Sequence, residues 1–348
     1  MLCAACGVEA PTEMARCAAC GQSPILISGG RFAGESTRYR LDSIVGRGAF
    51  GVTYRAARLD DNLVVCIKEL SYRKMGSFEI EKGFRREAQI LRELAHPQIP
   101  RYIDDFLVES GKNVAAYIVQ EFVDGESLKD ELAHKRYREA DVLAILDDLL
   151  GILEDLHELR PPVIHRDIKP GNALRRASDG RMVLVDFGSV KDAFRDPNSG
   201  GSTIAGTYGY MPPEQFYGQA NAASDLYSLG VLAVVLLTRQ EPQTMMDDAH
   251  HLNWHSCTEV SSGFRELLDE LLVPDCAQRP HSAKEVRERV RGLLRGDADL
   301  AAPTVRGVSS GANPTMAKSG SILSIAAVQV VISLVLLGIA FIGAVLRR

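Results

Sequence analysis

The sequence has no excess of basic residues: 40 Lys and Arg stand against 45 Asp and Glu, a formal net charge of -5. A nucleic-acid partner needs a concentrated basic surface to meet its phosphates, so that class is set aside. The first residues, Met1 to Ala10, offer neither a basic leader nor an apolar run. No secretory signal peptide is expected, and the N-terminus is predicted to stay in the cytosol. Cysteine is sparse after the start of the chain: four of the seven fall in the first twenty residues, while Cys66, Cys257 and Cys276 are scattered. That distribution argues against a disulfide framework and for a local metal site. No internal repeat of useful length is visible. What is present, 348 residues at 46% hydrophobic content, suffices for one large core or two modest ones, with appendages.

Shifts of composition divide the chain into a cysteine module over 1–21, a connector over 22–38 containing Ser28-Gly29-Gly30, a main domain over 39–295, a linker over 296–320 and an apolar segment over 321–346. In the main domain, strand-like runs (Val64 to Leu70, Ala115 to Phe122, Met182 to Val185) mix with runs of helical apolar spacing (Phe84 to Leu94, Val142 to His157, Leu226 to Leu237). The mixture predicts an α+β fold. The linker is rich in Ala, Gly, Ser, Pro and Thr and lacks apolar periodicity. From Ser321 to Leu346 no side chain is charged. A helix of that length crosses a bilayer core of roughly 30 Å. The alternative, a buried globular helix, ordinarily carries polar residues on one face.

Cys3-Ala4-Ala5-Cys6-Gly7 and Cys17-Ala18-Ala19-Cys20-Gly21 are two knuckles of one form. Each spacing brings two thiolates to one side of a tight turn, and the following glycine accepts the backbone geometry that lets amides face sulfur. Four thiolates match a closed tetrahedral zinc site, as in a short zinc ribbon. A redox pair and an iron–sulfur cluster are the competing readings. So short a segment cannot fold on apolar burial alone, so the metal must supply most of its stability.

Gly46-Arg47-Gly48-Ala49-Phe50-Gly51-Val52 lies between two extended runs, Arg40 to Val45 and Thr53 to Ala57. A glycine-rich turn between strands lets backbone amides approach phosphate oxygens. Dinucleotide-binding folds use a similar spacing, but there a helix follows the glycines, and here β-branched and aromatic residues follow instead. Val64-Val65-Cys66-Ile67-Lys68 is an apolar strand that ends in a lysine. Its candidate partner is Glu87, bordering the packed face that Phe84, Ala88 and Leu91 define on a helix. Glu81 and Glu93 compete for that role from less favourable positions.

The segment His165-Arg166-Asp167-Ile168-Lys169-Pro170-Gly171-Asn172 puts a carboxylate, an ammonium and a carboxamide in one short loop. Asp186-Phe187-Gly188 follows directly on the strand Met182 to Val185. Asn172 and Asp186 are oxygen donors of the kind that share magnesium, or manganese, with nucleotide phosphates. Asp167 can accept or orient the proton of an attacking hydroxyl.

Together and in this order, the motifs make the stretch Tyr39 to Leu294 resemble the eukaryotic-like protein kinase superfamily, and within it the bacterial Ser/Thr kinases. The resemblance implies a bilobal fold, with a small strand-rich N-lobe, a larger helical C-lobe and ATP between them. It implies that the loop Gly46 to Gly51 covers the phosphates, Arg47, Gly48, Ala49 and Phe50 included, and that Lys68 binds the α- and β-phosphates while paired to Glu87. Asp167 becomes the catalytic aspartate, Lys169 a γ-phosphate contact, and Asn172 and Asp186 the magnesium ligands. Adenine is expected between Val52 and Leu174, under Cys66, with the backbone of Glu121 and Val123 on its edge and Gln120 behind it.

Gly206 to Glu214 looks like the end of an activation segment, with Glu214 pairing to Arg279; Asp225 resembles the helix-borne aspartate that anchors the catalytic loop. Lys169 and Thr207 favour Ser/Thr over Tyr as acceptor. Three departures from the family pattern stand out: Cys66 for the usual alanine, Pro212-Pro213-Glu214 for Ala-Pro-Glu, and the polar Gln120. Arg166 is placed to receive a phosphate from the activation segment, on Ser189, Ser199, Ser202 or Thr203.

The rival functions are a pseudokinase scaffold and a small-molecule phosphotransferase. The intact Lys68, Asp167, Asn172 and Asp186 disfavour the first, and Thr207 to Glu214 disfavours the second. Arg306 and Lys318 before the apolar segment and Arg347 and Arg348 after it leave its orientation undecided by charge. The need for cytosolic nucleotide implies a single-pass protein of the cell membrane, with the kinase domain and N-terminus in the cytoplasm. Ala340 and Ala344 offer a small-residue face for helix pairing and hence a homodimer.

Overall fold

The computed structural model describes residues 1–4, 6–9, 11, 16–28, 36–48, 51–72, 84–85, 88–110, 113–187, 209–247 and 251–296. The apolar segment 321–346 and most of the linker lie outside them. Among the described residues no helix is long and apolar enough to cross a membrane.

Six antiparallel strands form the first sheet: β1 (Leu26–Ile27), β2 (Arg38–Gly48), β3 (Gly51–Arg58), β4 (Val64–Tyr72), β5 (Tyr102–Ser110) and β6 (Asn113–Glu121), in the order β1-β2-β3-β4-β6-β5. Alternation of side chains across the pleat sorts them onto two faces. One face carries Leu26, Tyr39, Leu41, Tyr54, Ala56, Val65, Ile67, Phe106, Tyr117 and Val119 as a single core. The opposite face sends Leu70, Ala116 and Ile118 into the main core, together with Phe84 and Leu91 from the helical residues 84–85 and 88–93. Burial on both faces explains why β6 reads as a continuous apolar run rather than an alternating one.

β1 lies in the stretch expected to be a connector. Leu26 pairs with Tyr39 and Ile27 with Arg38, and Leu26 is buried in the sheet's core. Two residues are too few to show a periodicity, and register alone makes them a strand.

The second lobe begins with β7 (Gly125–Ser127) and α1 (Leu128–His134), continues into α2 (Glu139–Glu158), and then forms β8 (Ala173–Arg176) and β9 (Met182–Leu184). Downstream come α3 (Pro213–Phe216), α4 (Ala222–Thr238), α5 (Ser262–Leu271) and α6 (Ala283–Arg295). Side-chain oxygens cap these helices: Ser127 for α1, Asn221 for α4, Ser261 for α5 and Ser282 for α6. Every residue of α4 from Ala223 to Leu236 is buried, so this helix is the axis around which the lobe packs. α6 closes over α2, where Arg287 bonds Asp147 at 2.9 Å and Glu154 at 3.0 Å.

Candidate active site

β4 ends its apolar run by placing Lys68 between Thr53 of β3 and Ile118 of β6. Across the gap between the lobes, Lys68 Nζ lies 3.3 Å from Asp186 Oδ1, just beyond β9. Two groups separated by more than a hundred residues therefore meet, as the motifs require. Glu87 lies outside the described residues, as do Glu81, Ala49, Phe50, Ser189, Ser199, Ser202, Thr203 and Thr207. Glu93, a competitor for Lys68, is exposed and accepts a hydrogen bond from Gln89.

Asp167 is buried at the centre of the second group. Its Oδ2 accepts from Lys169 Nζ at 3.0 Å and from Asn172 Nδ2 at 2.9 Å. Asn172 Nδ2 also reaches the Asp167 carbonyl at 2.8 Å, so the amide nitrogen is directed at Asp167 and the amide oxygen is the atom of this side chain that could coordinate a cation. The carbonyl of Asn172 accepts from Val185 N–H at 2.9 Å, which holds that residue beside Asp186. Arg166 and Asp186 adopt left-handed backbone with φ of 68° and 59°. Such conformations need surrounding structure to hold them.

The surroundings supply that support. Asp225, fully buried in the first turn of α4, accepts the N–H of His165 and of Arg166 at 2.8 Å each, and His157 Nε2 donates to it at 2.9 Å. Burial pushes the Asp225 carboxyl up, but the hydrogen bond and charge of His157 outweigh it and hold the group below the usual range. His157, in the last turn of α2, is a positioning residue the sequence did not single out. His165 receives the Asp167 N–H on Nδ1 and faces the Val185 carbonyl with Nε2, 3.1 Å away. Its ring lies 4.7 Å from that of Phe187, and burial pushes its pKa down. Gln215 Nε2 donates to the Arg166 carbonyl at 2.7 Å and ties α3 to the same loop. Glu214 and Arg279 meet as expected, through two bonds of 2.7 and 2.8 Å.

On the nucleotide side, Gly46 and Gly51 differ. A side chain at Gly46 would meet open space, whereas a Cβ on Gly51 would lie 1.7 Å from the Glu69 carbonyl oxygen of β4. Gly51→Ala must therefore push β3 from β4. We expect it to cost about 1–3 kcal/mol of stability, read by thermal denaturation, and to weaken nucleotide binding. Cys66 pairs with Gln120 across β4 and β6. Burial and the nearby Asp186 charge push its thiol up to about 12, so it is an inert wall of the cleft at neutral pH. Gln120 Nε2 donates to the Pro100 carbonyl at 3.3 Å. Leu174 pairs with Val183 and Ser127 in the small sheet, while Val52 sits in β3, so the two arise from opposite lobes. Glu121 closes β6, and Val123 follows in the segment joining the lobes.

The four cysteines also converge: their sulfurs all lie within 4.8 Å of one another. Cys3 Sγ and Cys20 Sγ are 3.8 Å apart, and Cys6 Sγ and Cys17 Sγ 3.7 Å. A tetrahedron of zinc–thiolate bonds has edges of about 3.8 Å, so the spacing fits that ion, and it is far too long for disulfides. Gly7 and Gly21 take φ of 72° and 71°, the left-handed turn each knuckle requires. Backbone N–H groups of Cys20 and Ala19 pull the Cys17 thiol down to about 7.

Comparison with known proteins agrees with this geometry. The family model for the protein kinase domain matches residues 39–290. The chain belongs to the protein kinase family. The chain is similar to Serine/threonine-protein kinase B of Synechocystis sp., 32% identical over 320 residues, covering 85% of this chain and 53% of that protein. It is also similar to Serine/threonine-protein kinase PknA of Nostoc sp., 34% identical over 270 residues, covering 73% of this chain and 47% of the other. Serine/threonine-protein kinase F of Synechocystis sp. is 34% identical over 334 residues, covering 88% and 65%. The chain thus spans roughly half to two thirds of the length of these curated relatives. A strand-rich lobe, a helical lobe and a polar cleft between them are the kinase architecture.

Proposed function

We propose that this protein is a membrane-tethered Ser/Thr protein kinase that transfers the γ-phosphate of ATP to hydroxyls of other proteins and of itself. The observation that carries the reading is the convergence of Lys68 and Asp186 from opposite lobes beside the Asp167, Lys169 and Asn172 cluster. A magnesium ion held by Asn172 and Asp186 would neutralise phosphate charge. Lys68 supplies a fixed ammonium for the α- and β-phosphates. Asp167 orients the acceptor hydroxyl and takes its proton, and Lys169, already directed at Asp167, meets the γ-phosphate. A lysine in this place is the Ser/Thr pattern, and the relatives' names point the same way.

The finer parts of the reading rest on sequence and donor chemistry. Residues 1–21 are a zinc ribbon held by Cys3, Cys6, Cys17 and Cys20. Residues 39–295 form the kinase domain, and 321–346 a single transmembrane helix that leaves the catalytic domain in the cytoplasm and can pair into a homodimer. Washed membranes from expressing cells, given γ-labelled ATP and magnesium, should yield label on serine or threonine of membrane-bound protein. Label confined to tyrosine or to a small metabolite overturns the kinase assignment, and active chain found wholly in the soluble fraction overturns the tether.

A further inference from the structure

The cysteine module is built into the edge of the nucleotide-binding sheet. Leu2, one residue before the first cysteine, donates its N–H to the Leu41 carbonyl of β2 at 2.7 Å. Beyond the second knuckle the chain returns to β2, where Leu26 pairs with Tyr39. Between these two attachments the module closes on itself: Ala4 N–H donates to the Pro24 carbonyl at 3.2 Å, and Cys17 N–H to the Gln22 carbonyl at 2.8 Å. Leu2 and Ala4 pack against the core that contains Tyr39, Leu41 and Phe106. Cys3 and Cys17 are themselves buried.

The same strand leads to the phosphates. β2 runs from Arg38 to Gly48, so Leu41 and Gly46 are joined by about 17 Å of extended chain. Its pairing with β3 is irregular between Leu41 and Ser43 and again between Ile44 and Gly46. Such irregularities bend a strand and increase its local twist, and among the described residues the other edge of β2 is paired only near its start, at Arg38, Tyr39 and Leu41. That edge is held by Leu2, Leu26 and Ile27. A segment this short has too little apolar surface to stay ordered without a cross-linking ion.

Resting on the zinc reading above, we infer that metal binding at Cys3, Cys6, Cys17 and Cys20 sets the nucleotide affinity of the kinase domain by ordering β2 as far as Gly46 and Gly48. The ligand is a thiophilic divalent ion, and the coupling is reciprocal: bound nucleotide tightens the metal. Loss of the ion uncovers the β2 edge and loosens Gly46 to Gly48, with no change to Lys68, Asp167, Asn172 or Asp186.

The test uses the full-length chain, with cobalt in place of zinc to report four-thiolate ligation by absorbance and a non-hydrolysable ATP analogue with magnesium as the nucleotide probe. Metal-loaded protein should bind the analogue at least about fivefold more tightly than protein stripped by a zinc-selective chelator. Cys17→Ser/Cys20→Ser should match the stripped protein. Leu2→Gly keeps the backbone N–H but removes the side chain packed on the sheet's core, and should keep the cobalt spectrum while narrowing the affinity gap between loaded and stripped protein. Equal affinities for loaded and stripped wild type, with the four-thiolate spectrum present, overturn the coupling and leave the zinc site standing. Absence of that spectrum overturns the zinc reading and the coupling with it, and undiminished coupling in Leu2→Gly overturns the part of the route that runs through Leu2. Should the double variant fail to fold, chelated wild type makes the same comparison.

Discussion

Replacing Asp167 with Asn is expected to leave a folded, nucleotide-binding protein whose phosphotransfer rate falls between about a hundredfold and ten-thousandfold. Asp167 is buried, and Oδ2 accepts both Lys169 Nζ and Asn172 Nδ2. An asparagine keeps the shape and one acceptor oxygen, so both neighbours retain a partner and the loop holds. What disappears is the negative charge and the basic site that receives a hydroxyl proton. Initial rates of label transfer, set beside nucleotide affinity and melting temperature, separate chemistry from folding. A drop of less than tenfold, or a comparable loss of nucleotide binding, would remove Asp167 from the proton step.

Arg279→Ala should produce the largest loss of stability, about 3–5 kcal/mol, because it strands a buried carboxylate. The Arg279 side chain is 0% exposed. It gives two bonds to Glu214 and further bonds to the carbonyls of Val273, Ala223 and Pro274, and it lies over the Tyr227 ring. Glu214 Oε1 accepts in addition from Ser224 Oγ at 2.7 Å. In a domain of this size the melting temperature should fall by about 10 °C. Glu214→Ala/Arg279→Ala should lose less than the two single changes added together, since neither charge is then left alone.

The same pair gives stability a pH dependence of definite sign. Burial alone would raise the Glu214 carboxyl, but the bonds from Arg279 and Ser224 prevail and hold it below its ordinary value, as happens at Asp225. A carboxyl depressed in the folded state binds its proton first when unfolded. Its contribution is therefore complete above about pH 4 and is lost as the pH falls through the folded value. Denaturant melts between pH 6 and pH 3, ranges set by about those carboxylate values, should fall more steeply for wild type than for Glu214→Gln.

The chemistry of the cleft was legible in the sequence because its parts recur as short, ordered motifs. Lys68, Asp167, Asn172 and Asp186 each sit at the end of a recognisable strand or in one loop, and the geometry brings them together. Helices α2 and α4 were equally plain, α2 from its apolar periodicity and α4 from a long apolar run, signals that survive without knowledge of neighbours. Contacts made at a distance were not visible. Nothing local marks Leu26 as a strand or Leu2 as an anchor on β2, and nothing marks His157 as a donor to Asp225. Nor does sequence spacing reveal the buried network in which Glu131 accepts from Tyr137 and Arg175. Such partners are chosen by packing, which a linear reading does not contain.

Gln98 sets a limit on how the two halves of this enzyme can move. Its side chain donates to the Met182 carbonyl at 2.8 Å and accepts from Arg181, while its own carbonyl takes the Leu184 N–H at 2.9 Å. The approach to β5 is thereby stitched to β9 by hydrogen bonds, while the chain itself crosses between the lobes through Val123. Two fixed points define a pivot, so breathing of the cleft should be a rotation about a line through 98 and 123 rather than a sliding apart, with amplitude growing with distance from that axle.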